Sequence, residues 1–254
     1  MRASLGNRLM GARHSQTAAH SRQRYRIKLS MSDKSWLRRR IEKALTKALW
    51  RAYKTVRVDP DRFLMELRAG HGLPITSFQG SFSVDPSVLD DIAENIIHSG
   101  MKMAAAEGAG FGLGGIITIL PDFSILAGIT LRTIQKLSLL YGFEYNTDEE
   151  MTELWIAAAS AAGVDLGREF LEKNVVNRVI PQIVQRIAAK ASTEFVEKWA
   201  GRLIPVVSSL IGGTLNYYFV RGWGERAHSH FREKHLARRH ELLQATNLET
   251  RSAI

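Results

Sequence analysis

The chain has 254 residues, 45% of them hydrophobic and 24% charged, and no cysteine. That length can bury a sizeable core, and that composition excludes a chain disordered throughout. The missing cysteine excludes disulfides, thiolate metal sites and cysteine nucleophiles, and it fits a reducing, cytoplasmic compartment. The net charge of +10 is unevenly placed. Residues 1–30 carry seven Lys/Arg and no acid, and residues 34–57 carry nine against Glu42 alone. Residues 58–220 carry twelve basic and nineteen acidic residues, and residues 221–240 carry six basic against two acidic. Basic flanks around an acidic, apolar middle fit attraction to anionic lipid at least as well as attraction to nucleic acid, and they argue against a uniformly basic nucleic-acid binder.

Residues 1–30 read as a basic, disordered leader. A transit peptide has the same composition, and Met31-Ser32-Asp33-Lys34 also reads as an internal start that opens onto a helix. Ser35 to Val58 is an amphipathic helix, with Leu37, Ile41, Leu45, Ala48/Leu49, Ala52 and Val56 at three- to four-residue spacing. Arg38, Arg39, Lys43, Lys47, Arg51 and Lys54 lie mainly off that stripe, and Trp36, Trp50 and Tyr53 sit at its edges. Two readings stand: a helix lying in a membrane interface, or a surface helix packed on the domain.

Asp59-Pro60 starts a short helix to about Ala69, and Gly70 to Val84 reads as a loop. Asp85-Pro86 repeats the start signal, with Gly100 as a stop or bend. Met101 to Leu120 is apolar and small, and Pro121 breaks it. Ser124 to Leu140 resumes as a helix with Gly142 as its C-cap. Thr147-Asp148-Glu149-Glu150 is a capping box for a helix to about Ala162. Val164 to Lys198 is helical with a start or kink at Pro181. Leu203 to Val220 is free of charge, and Trp223 to about Gln244 is a polar, basic helix. The fold class is therefore all-α: a multi-helix bundle with a glycine-rich apolar hairpin and amphipathic flanking helices. The expected organisation is a leader over 1–30, then an amphipathic helix, short helix and linker over 31–84. A helical domain over 85–245 and a tail over 246–254 follow.

Gly110-x-Gly112-x-x-Gly115 matches the dinucleotide pattern in letters alone. The segment before it, Met103-Ala-Ala-Ala-Glu107, favours helix where the mechanism needs a strand. Gly108-x-x-x-Gly112 and Gly110-x-x-x-Gly114 instead place small residues on one helix face, where two backbones can approach closely. The apolar run between Glu107 and Asp122 is too short to span a membrane, which takes about 20 residues. It leaves a packed core hairpin or a re-entrant one. Arg132 pairing with Asp122 or Glu107 would fix that hairpin, or each charge sits at a helix end in solvent. Asp122 at a helix start can also serve as a cap. His228, His230, His235 and His240 fall at spacings of two, five and five, which do not match ligand pairs on one helix face. Neither a cofactor nor a metal is expected.

The landmarks Ala106-Glu107-Gly108, Gly114-Gly115, Leu120-Pro121-Asp122, Leu131-Arg132 and Tyr141-Gly142, followed by Glu149/Glu150, resemble the EcsC family. So do Ile204-Pro205, Ile211-Gly212-Gly213, Asn216, Ala227 and Phe231-Arg232. The resemblance covers about Ile92 to Arg239. It implies a helical, bacterial protein linked by the family's name to an ABC-type export system, and it carries over no catalytic residues. The candidate residues from the resemblance and the pattern reading together are Glu107, Gly108, Gly112, Gly115, Pro121, Asp122 and Arg132. The function expected from both is a non-enzymatic module, cytoplasmic and peripheral to the inner membrane. Its expected partners are an anionic membrane surface and a membrane transporter, with no nucleic acid. The alternative is a hydrolase using Glu107 or Asp122 in a helical cleft.

Overall fold

The computed structural model describes residues 31–110, 123–166, 176–200 and 209–252. Every regular element among them is helical. Helix α1 spans Met31–Thr55, and its predicted stripe of Leu37, Ile41, Leu45, Ala48, Leu49 and Ala52 is buried. Helix α2, Pro60–His71, begins at an Asp59 cap whose Oδ1 accepts from the Arg62 amide at 3.1 Å, and it ends at Gly72 in the left-handed region. The predicted loop then contains a short 3-10 helix, Phe78–Ser83, that anchors Phe78 in the core.

Helix α3 spans Pro86–Gly110, α4 Phe123–Leu140 and α5 Asp148–Ala161. The capping box at Thr147 is formed in both directions, Thr147 Oγ1 accepting from the Glu150 amide and Glu150 accepting from that of Thr147. Helix α6 spans Val176–Ala200 with Pro181 inside it, and α7 spans Ser209–Ser252. Helix α4 is central, with α1, α3, α5 and α7 all packed on it; α1 also packs on α6, and α7 on α3 and α5. The expected leader lies outside the described residues, as do Gly112, Gly115, Pro121 and Asp122 of the expected hairpin.

Several boundaries differ from the sequence reading: residues 164–166 are not helical, and α7 runs into the expected tail as far as Ser252. Gly100 does not stop α3 but lies within it. A Cβ there would stand 2.6 Å from Thr133 Oγ1 of α4 and 3.3 Å from Val220 Cγ1 of α7. Likewise, the apolar segment from Ser209 to Val220 and the basic helix after it are one continuous α7. The junction holds Gly222 and Gly224, and a Cβ at Gly224 would stand 3.0 Å from Ile97 of α3. Gly100 and Gly224 mark close helix contact, not helix ends.

Gly100→Ala therefore lowers stability by about 1–3 kcal/mol, the usual range for overpacking. This is the net loss after a propensity gain of about 1 kcal/mol. Thr133→Ala removes the obstructing oxygen, so the double variant is more stable than the sum of the single effects. Denaturant midpoints of the four proteins measure the coupling, and simple additivity would reject the contact.

Candidate functional site

The most concentrated polar arrangement among the described residues gathers on Asp90, in the second turn of α3. Tyr141, just past the end of α4, donates its hydroxyl to Asp90 Oδ1 at 2.7 Å. Arg232 of α7 donates from Nε to Oδ1 at 3.0 Å and to Oδ2 at 2.8 Å. His228, one turn earlier on α7, places Nε2 3.2 Å from Oδ1. An ionised carboxylate only accepts, so His228 is the donor. One carboxylate thus ties together α3, the end of α4 and the middle of α7.

Burial works to raise the Asp90 carboxyl, but hydrogen bonds from Arg232, Tyr141 and His228 outweigh it and hold it below 3.8. Burial first, and then the Asp90 carboxylate, push the Tyr141 phenol well above its ordinary 10.0. A carboxylate held ionised and already accepting from three side chains is a poor proton acceptor. A phenol with a raised pKa is a poor nucleophile. The arrangement is a clamp and not an acid–base pair.

The clamp continues along the same face of α7. His235 is fully buried and stacked on Phe82 at 4.9 Å. Its Nδ1 lies 2.9 Å from the Tyr141 carbonyl, so Nδ1 carries the proton and donates, and buried Nε2 has no partner among the described residues. Burial is the main cause that lowers its pKa from 6.5. Arg239 Nη1 donates to the Val84 carbonyl at 3.0 Å. Gly142 closes the corner with φ +89, and a Cβ there would stand 2.9 Å from Phe82. On the other side of α7, Arg226 donates to the Ala161 carbonyl and Lys234 pairs with Glu153 of α5.

The sequence reading did not single out Asp90, and it met His228 and His235 only as improbable metal ligands. The signal was present in the spacing of His228, Arg232, His235 and Arg239, at four, three and four residues along one helix face. His230 is half-buried and His240 exposed, so the four histidines do not converge. No group of three or more potential metal ligands occurs among the described residues. Of the predicted candidates, Glu107 is exposed near the end of α3 and Gly108 lies in the last turn of that helix. Arg132 is exposed on α4, and it and Glu107 form no ion pair with each other. An exposed Glu107 gives the hydrolase alternative no support from that residue.

The other charged feature is the outer face of α1. With the apolar stripe turned inward, Arg38, Arg39, Arg40, Lys43, Lys47, Arg51 and Lys54 are all exposed. Trp36 is 55% exposed, and the Arg40 guanidinium lies 5.3 Å from its ring centre.

Comparison with known proteins gives a consistent picture. The family described as the EcsC protein family matches residues 32–236. Protein EcsC of Bacillus subtilis (strain 168) is 30% identical over 156 residues, which is 60% of this chain and 66% of that protein. The uncharacterized protein YdbA of the same organism is 32% identical over 63 residues, 25% of this chain and 23% of YdbA. The chain thus spans about two thirds of the first relative and about a quarter of the second. No solved structure matches.

Removing the clamp has two measurable consequences. Asp90→Asn lowers stability by about 1–2 kcal/mol, the low part of the range for charged hydrogen bonds. The discount applies because the Arg232 side chain is 42% exposed. Because the folded carboxyl lies below 3.8, its contribution is present above that value and lost as pH falls through the folded one. Asp90→Asn therefore flattens the acid limb below pH 3.8, and an unchanged limb would contradict the clamp. His235 acts at higher pH. Its folded pKa is lowered, so below 6.5 the unfolded chain takes up a proton that the folded one refuses. Stability falls from pH 6.5 downward, and His235→Gln removes part of that slope, with His230, lowered by its own burial, carrying the rest. Urea unfolding across the pH range measures both limbs.

Proposed function

The chain belongs to the EcsC protein family, and on that premise we propose that it is a non-enzymatic module adsorbed on an anionic membrane surface. The observation that carries this reading is the outer face of α1. Seven cations are exposed there, and among the described residues none of them forms an ion pair. Each Lys/Arg near an anionic bilayer contributes about 1 kcal/mol of attraction, so a row of them supports reversible adsorption. Exposed Trp36 adds an aromatic side chain suited to the headgroup level.

The mode differs from insertion of an amphipathic helix. The apolar stripe of α1 lies in the protein core and is not available to acyl chains. Helix α4 has the length and composition of a membrane span, but 72% of it is buried inside the fold. Adsorption therefore rests on charge, with peripheral attachment at the cytoplasmic face, where anionic lipid is presented. The family name's link to an export system supports a membrane transporter as the protein partner at that surface.

Vesicle co-sedimentation tests the reading. The full chain binds phosphatidylglycerol vesicles at low salt, releases them toward physiological salt and ignores phosphatidylcholine vesicles. Replacing Arg38, Arg40 and Arg51 together by Gln weakens binding by about 100-fold, three charges at about 1 kcal/mol each. Binding that survives the triple replacement, or that is equal on neutral vesicles, would sink the proposal.

A further inference from the structure

Beside the outer face of α1, an open groove of about 620 Å³ runs between α1 and α6. Arg39, Lys43 and Lys47 line it at four-residue intervals, which places their Cα atoms about 6 Å apart along the helix axis. Trp50 of α1 and Pro181 of α6 give it an apolar wall, and Gln185 adds a neutral donor one turn after Pro181. Glu42 is its one acidic residue. The Trp50 ring is half-buried and braced edge-on by Tyr53 at 5.5 Å, so it presents a fixed surface. No ion pair among the described residues occupies Arg39, Lys43 or Lys47.

We propose that this groove is a headgroup site for a phosphomonoester-bearing anionic lipid. The inference rests on the membrane reading above and names its recognition element. Three cations against Glu42 leave a formal charge of +2, matching the charge of about −1.5 to −2 on a phosphomonoester at neutral pH. A phosphodiester carries half of that. A headgroup with its own carboxylate meets Glu42 and is disfavoured. The volume exceeds that of bare phosphate, and the Trp50–Pro181 wall suits the glycerol and the first carbons of an acyl chain. The three cations also belong to the face that meets the bilayer, so the ligand arrives from the membrane surface. Residues 1–30 are unsuited as an occupant, since they hold seven Lys/Arg and no acid.

Calorimetry of the full chain with dihexanoyl phosphatidic acid, below its micelle concentration, tests the site without a bilayer. Saturable one-to-one binding is expected, at least about tenfold tighter than for glycerol 3-phosphate or dihexanoyl phosphatidylglycerol. Lys43→Gln with Lys47→Gln weakens it by about 30-fold, two charges at about fivefold each. Arg62→Gln with Arg68→Gln, an equal charge loss on α2 at residues that do not line the groove, leaves it within about twofold. Circular dichroism checks that both variants fold. An absence of saturation, or equal loss in both variants, overturns the site. Glycerol 3-phosphate binding as tightly assigns the groove to free phosphate and overturns the lipid source. Wild-type adsorption to anionic vesicles without short-chain binding sinks the groove alone. Short-chain binding without vesicle adsorption sinks the membrane reading and the headgroup source with it.

Discussion

Near-complete wrapping of α4 is the constraint that organises the fold. Thirteen of its eighteen residues are buried, including four polar ones: Thr130, Thr133, Gln135 and Ser138. Such groups are costly in a core unless they are hydrogen-bonded, and each of the four is. Thr130 and Thr133 donate to carbonyls one turn back, and Ser138 donates to the Phe143 carbonyl. Gln135 donates to the Val56 carbonyl and accepts from the Val58 amide, so a side chain of the central helix holds the link between α1 and α2. The helix that looks most like a membrane span is thus committed to protein on nearly every side.

Wrapping one helix so closely requires its neighbours to come near. Gly100 lets α3 approach both α4 and α7, and Gly224 lets α7 approach Ile97 of α3. Once α3 and α7 are this close, Asp90 and Arg232 can meet across them, and Tyr141 joins from the end of α4. Gly contacts and the Asp90 clamp are therefore successive consequences of one geometry. The apolar contact sets the distance between helices, and the charged contact sets their register, because Arg232 reaches both carboxylate oxygens from only one position along α7.

Elements with local signals were legible in the sequence. Asp59-Pro60, Asp85-Pro86, the Thr147 capping box and Gly142 each act through a few neighbouring residues, and each marks a helix boundary in the structure. The stripe of α1 was equally legible, but its destination was not. Periodicity identifies an apolar face without saying whether protein or lipid covers it, and here protein does. Gly100 misled for the same reason. A glycine's local cost resembles a stop signal, while its benefit lies in a contact with a residue more than thirty positions away. Asp90 was invisible because all three of its partners are distant in sequence, separated by 51 to 142 residues.

The burial pattern also bears on how such a protein meets a membrane. A peripheral helix that inserts must keep its apolar face free, and adhesion is then set by hydrophobic area and is insensitive to salt. In α1 that face stabilises the fold, so most of what it offers outward is charge. Charge alone acts over about a Debye length, roughly 8 Å at physiological ionic strength, and does not distinguish one anionic lipid from another. Selectivity needs a concave feature on the charged face, where a headgroup loses water against fixed walls and meets several cations together. The α1–α6 groove is such a feature, and its rigidity comes from the same inward stripe that denies α1 to the acyl chains. On the proposed reading, folding and recognition fall on opposite faces of one helix.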